Sequence, residues 1–168
     1  MDNTRLKDIV LGDRDRVSGT VYGTIIVMSV LATGANAYQH DLWRLLVLGG
    51  VSVIVLWLAH VYAHGLGESL KLGRRVTIAE LASIARREYS IVASAVAPLA
   101  AVALGAAGVL PDKASVRVAL WIGVVALAAQ GVRYAQLEHL SRGAAAVTVG
   151  INLAIGLGLV LLEVLVAH

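Results

Sequence analysis

The chain alternates between five long apolar runs and short polar breaks. A helix that crosses a bilayer needs roughly 20 mostly apolar residues at a rise of about 1.5 Å each. Runs at 17–37, 42–64, 89–110, 114–140 and 144–166 meet that length and predict five spanning helices. The breaks at Gln39-His40-Asp41, Pro111-Asp112 and Ser141-Arg142-Gly143 carry residues that favour turns. Asp41 stands where an N-cap is wanted, immediately before the second run.

The stretch between the second and third runs has its own pattern. Thr77 and Glu80 have capping-box spacing, with Val76 and Leu81 at the staple positions, so a helix is expected to start at Thr77. Its first turns set Ile78, Leu81 and Ile84 against Glu80, Arg86, Arg87 and Glu88. Such an amphipathic segment is expected to lie at the membrane interface or to run straight into the third span. Residues 4–11 predict a short in-plane helix ended by Gly12. The fold class is therefore all-α: one polytopic domain over residues 1–168, with five spanning helices and an interfacial helix before the third.

Composition supports lipid as the main solvent. Hydrophobic residues make up 58% of the chain and charged residues 15%, against about 45–50% and about 25% in soluble domains. Mean hydropathy is +0.80. The chain has no Cys, which excludes disulfides, thiol nucleophiles and thiolate metal sites. A net charge of +3 calls for no nucleic-acid partner, because membrane topology accounts for where the basic residues fall. Residues 1–16 are charged throughout and the run after them is long enough to span, so no cleavable leader is expected. Arg5, Lys7, Arg14 and Arg16 precede span one; Lys71, Arg74, Arg75, Arg86 and Arg87 follow span two; the alternate loops hold fewer cations. The expected location is a bacterial plasma membrane, with the N-terminus cytoplasmic and the C-terminus extracellular. Five spans also exclude an inverted repeat of two equal halves.

Helices in lipid associate through close packing and polar contacts. Small residues recur four apart at Gly19/Gly23, Ala59/Ala63 and Ala101/Gly105, and Gly150, Gly156 and Gly158 line span five. These serve either packing within the chain or a dimer face. Pro98 is expected to kink span three, with Ser94 one turn back to satisfy the freed carbonyl. Trp43 and Trp57 fit aromatic belts at the two ends of span two, Trp121 reads as packing, and Asn152 as an interhelical hydrogen bond.

The candidate chemistry lies in the cytoplasmic halves. His60, His64 and Glu68 share one face of span two, since steps of four drift only about 40°. Arg133, Tyr134, Glu138 and His139 lie at the same expected depth on span four, Tyr22 on span one and Glu88 before span three. Ionisable groups at depth normally face the bundle or water. Three readings follow. His60 and His64 have metal-ligand spacing, which Glu68 or His139 would complete. A His–Glu–Arg–Tyr set can relay protons or pass ions. The same side chains can also simply snorkel to headgroups and bond one another.

The blocks VYGTIIVMSVLATGAN, WLAHVYAHGLGESL and ARREYSIVASAVAPLAAVALGAAG resemble small uncharacterised multi-pass integral membrane proteins of high-GC actinobacteria over most of the chain. The resemblance implies a membrane protein and no particular activity. The favoured function is a homo-oligomeric ion or proton channel or transport unit in the lipid bilayer. The rivals are a membrane-embedded metal-dependent enzyme acting on a lipid-like substrate and an accessory subunit of a larger complex. No cofactor is specified by the sequence.

Overall fold

The computed structural model describes residues 3–38 and 40–166, with side chains between residues 16 and 165; Gln39 of the first break, and the side chains of Arg5, Lys7 and Arg14, lie outside the described residues. The described elements are six helices: α1 (Asn3–Ala37), α2 (Leu42–Leu72), α3 (Ile78–Arg87), α4 (Ser90–Ala106), α5 (Asp112–Leu137) and α6 (Arg142–Val166). Four of them are each long and apolar enough to cross a membrane: α1 from Arg16 onward, α2, α5 and α6. The pair α3 and α4 passes the same test together, bent by 44° at the break between them. The molecule is an all-α polytopic bundle.

Local chemistry accounts for most of the boundaries. The Asp41 carboxylate accepts from the Arg44 backbone N–H at 3.2 Å, capping α2. At the other end α2 runs on to Leu72 and stops at Gly73, whose φ of 62° is the left-handed conformation that closes helices. The capping box of α3 is present in both directions: Thr77 Oγ1 accepts from the Glu80 N–H, and Glu80 accepts from the Thr77 N–H. Ser141 Oγ accepts from the Ala144 N–H at 3.4 Å, ahead of α6.

Five expectations change. Helix α1 is continuous through Gly12, so residues 4–11 form no separate helix; one glycine costs a helix only about 1 kcal/mol, too little to break a long one. Helix α3 does not run straight into span three, because the chain bends at Glu88 and Tyr89. Ser94 Oγ donates to the Ile91 carbonyl at 2.8 Å, while Pro98 is buried within α4. Asn152 Nδ2 donates to Thr148 O at 3.1 Å within its own helix, and Trp121 on α5 is exposed rather than packed.

Helices α1 and α4 form the centre. Helix α2 packs on α1, α3 and α4; α5 packs on α1, α4 and α6. Met28, Leu31, Ile91, Val102, Leu120 and Leu127 fill the space between them. Close approach depends on glycine where α1 meets α4: a Cβ on Gly23 would collide with the Ile91 carbonyl and Ser94 Oγ, and one on Gly19 with Ser90 Oγ. The outward faces of α2 and α6 expose Val51, Ile54, Val55, Ile151, Ile155 and Leu161. Apolar surface of that extent belongs against acyl chains rather than water.

Candidate functional site

The C-terminal half of α2 is held against α3 by three kinds of contact. Trp57 Nε1 donates to the Ala85 carbonyl at 3.1 Å. Gly65 leaves room for Leu81, which a Cβ there would approach to 3.0 Å. Ile84 is buried in the same seam. This docking carries the α3–α4 break to the side of α2, and the residue at the break is Glu88, only 4% exposed.

Glu88 meets His64. Their Oε1 and Nδ1 atoms lie 2.8 Å apart, with the imidazole side chain 59% exposed. A carboxylate can only accept at that distance, so Nδ1 carries the hydrogen and donates. The partner gives a buried carboxylate what burial demands: an unpaired one is strongly disfavoured in a low-dielectric interior. One turn back, His60 stands edge-on to His64 with ring centroids 6.2 Å apart. Across the helix pair, the Tyr22 ring of α1 lies 5.3 Å from that of His60. The result is a ladder, Tyr22–His60–His64–Glu88, drawn from α1, α2 and the α3–α4 break.

Beyond His64, a cavity of about 520 Å³ separates the last turns of α2 from α3. His64, Glu68, Lys71, Glu80, Arg87 and Glu88 are among its walls. Glu80 is already engaged: Arg74 donates to its two carboxylate oxygens at 3.1 and 2.7 Å, and Thr77 donates from its backbone and hydroxyl. The Arg74 guanidinium, with help from Thr77, holds the Glu80 carboxyl down at about 2.

The structure thus brings together Tyr22, His60, His64 and Glu88, and sets Glu68 in the adjoining cavity. It places the α5 residues elsewhere. Arg133, Tyr134 and His139 are exposed, Glu138 is half-buried and caps the end of α5, and α1 and α4 lie between α5 and α2. Among the described residues no three His, Cys, Asp or Glu side chains are arranged to hold a metal ion. The sequence marked Glu88 only for its depth. Its pairing with His64 depends on the bend, which has neither Pro nor Gly to announce it.

Comparison with protein-family models, with curated proteins and with solved structures yields no match.

Proposed function

We propose that this chain is a small multi-pass protein of a bacterial plasma membrane, N-terminus cytoplasmic and C-terminus extracellular, that moves protons or cations as a homo-oligomer. The observation that supports the reading is the ladder Tyr22–His60–His64–Glu88, which ends in a polar cavity. Histidine is the side chain best suited to exchange protons near neutral pH. A buried carboxylate hydrogen-bonded to it supplies a second station, and a water can bridge the step between the two imidazoles. Among the described residues the centre of the bundle is filled by apolar side chains such as Met28, Leu31 and Leu120, so in this reading the path runs beside α2 and is completed by a neighbouring copy. Glycines 150 and 158 of α6 have open space beside them, as close approach by another helix requires.

Reconstitution into liposomes with a pH-sensitive dye inside tests the proposal. An imposed gradient is expected to collapse faster with the wild-type protein than with His60→Ala or Glu88→Gln. Absence of proton and cation flux at every pH from about 5 to 8 rejects it.

One observation favours the metal-enzyme reading. Metal-bound histidines commonly donate their other N–H to a carboxylate, as His64 does to Glu88. That arrangement leaves His64 Nε2 and the His60 ring to bind a metal. Metal analysis of purified protein decides: stoichiometric metal that disappears in His60→Ala supports the enzyme reading, and metal-free protein removes it.

A further inference from the structure

Helices α3 and α4 part at a 44° bend that neither proline nor glycine marks. Bends in helices have definite causes, among them a side chain that enters the ladder of backbone hydrogen bonds. Here one rung is broken. In a straight helix the Tyr89 N–H would bond the carbonyl four residues back, on Ala85. It bonds Arg86 O instead, at 3.4 Å. The Ala85 carbonyl is left without its helical partner, and it accepts the Trp57 indole N–H of α2 at 3.1 Å.

Depth makes that bond matter. Counting from Trp43, Trp57 lies about 21 Å along α2, inside a hydrocarbon core of about 30 Å. Lipid offers a carbonyl no donor, so a freed one must find a donor in the protein. The indole Nε1–H is a donor with no acceptor beside it, and Trp57 is half-buried in the seam. The effect reaches the site. Ala85 stands three residues before Glu88, and Trp57 stands seven before His64, two turns back on the same face of α2. Holding Ala85 against α2 therefore also holds Glu88 in its 2.8 Å contact with His64. Ile78 is ten residues from Glu88, about 15 Å along the helix, so straightening by 44° would displace it by roughly 10 Å.

We propose that Trp57 is a positioning residue: its indole N–H sets the α3–α4 bend and so brings Glu88 to His64. The consequence for proton flux rests on the transport reading above; the bend itself does not.

Spin-label distance measurement on the full-length protein in liposomes provides the test. The chain has no Cys, so labels at Leu58→Cys and Ile78→Cys, both exposed positions, report where α3 sits against α2. Trp57→Phe keeps an aromatic ring and removes the N–H. It should shift the distance between the labels by several ångströms and cut proton flux to the level of Glu88→Gln. Trp43→Phe, the same exchange at an exposed indole, should change neither. An unshifted distance in Trp57→Phe overturns the proposal even where the melting temperature falls, since an indole that acts only by packing would give that result. 3-Benzothienylalanine in place of Trp57 keeps the bicyclic ring and puts sulfur where the N–H was, so it should reproduce the shift. A wild-type distance with that analogue overturns the proposal, because the ring and not the N–H would then set the bend. Absent flux in the wild type, together with a shifted Trp57→Phe distance, rejects transport alone and upholds the role of Trp57.

Discussion

The C-terminal half of α2 and that of α5 carry nearly the same residues and part company in three dimensions. Each has histidine, glutamate and a long cation in or just beyond its last turns: His64, Glu68 and Lys71 within α2, and Arg133 within α5 with Glu138 and His139 just past its end. On α2, His60 and His64 reach a tyrosine from α1 and a buried glutamate from the α3–α4 break. On α5, Arg133, Tyr134 and His139 face outward, and α6 is the flanking neighbour instead of an amphipathic helix. What separates the two ends is the company each helix keeps. Depth in the membrane alone does not decide which neighbouring element a polar residue meets.

The largest effect is expected where backbones touch. Gly23→Val drives a side chain into the Ile91 carbonyl, which cannot swing aside. Overpacking of this kind costs about 1–3 kcal/mol or more, and here it pries α1 from the start of α4, separating Tyr22 from His60. Gly143→Val beside the end of α5 meets open space and should stay within about 0.5 kcal/mol of wild type. Thermal unfolding of the purified proteins in detergent measures both. Equal stability of the two variants would refute the tight α1–α4 seam.

Next in size is the buried pair. Glu88→Ala removes the hydrogen bond to His64 and empties a buried position, for a loss of about 1–3 kcal/mol. His139→Ala on the α5 side should change stability by no more than about 0.5 kcal/mol. His64→Asn is sharper. Asparagine Nδ2 can replace Nδ1 as donor, so the fold should survive while proton flux in liposomes falls to the empty-vesicle level. Retained flux in this variant would remove His64 from the path and leave it a purely structural clamp.

A smaller effect, of opposite sign, belongs to the α5 end. His139 has φ 50°, the left-handed region that side chains other than glycine enter at a cost. His139→Gly should therefore stabilise the protein by about 0.5–1 kcal/mol in the same unfolding assay. If histidine were held there for a contact that matters, the substitution would destabilise instead.

Much of this was legible in the sequence, and what was not has definite causes. The apolar runs, the Asp41 cap and the Thr77–Glu80 box are local: each is set by residues within one or two turns, and each is found in place. The i, i+4 spacing of His60 and His64 fixed their shared face in the same way. Which helices are neighbours is not local. Nothing in the composition of α5 says that α1 and α4 lie between it and α2, so Arg133 and Glu138 were expected beside the imidazoles and stand elsewhere. The 44° bend was equally hidden, because no proline or glycine marks it. Trp57 shows the same limit: its position suggests a membrane belt, while its N–H is given to Ala85 across the α2–α3 seam.

The smallest effect concerns how α3 is started, which the α5 end has no counterpart for. Glu80 is held at about 2, below the ordinary carboxyl value of 4.5, first by the Arg74 hydrogen bonds and then by Thr77. A lowered carboxyl stabilises the folded state fully above about pH 4.5, progressively less as the pH falls toward 2, and not at all below that. The pair is open to water, with the Arg74 and Glu80 side chains 52% and 40% exposed, and is screened by salt, so the loss is confined to the first turn of α3 rather than to the bundle. Amide hydrogen exchange in detergent should show faster opening at residues 78–81 between pH 4.5 and 2.5, after correction for intrinsic rates. The N-terminal turn of α6, capped by the uncharged Ser141 hydroxyl, should show no such change. Glu80→Gln should reproduce the acid behaviour at neutral pH, and a first turn that stays protected in that variant would show that Thr77 alone starts the helix.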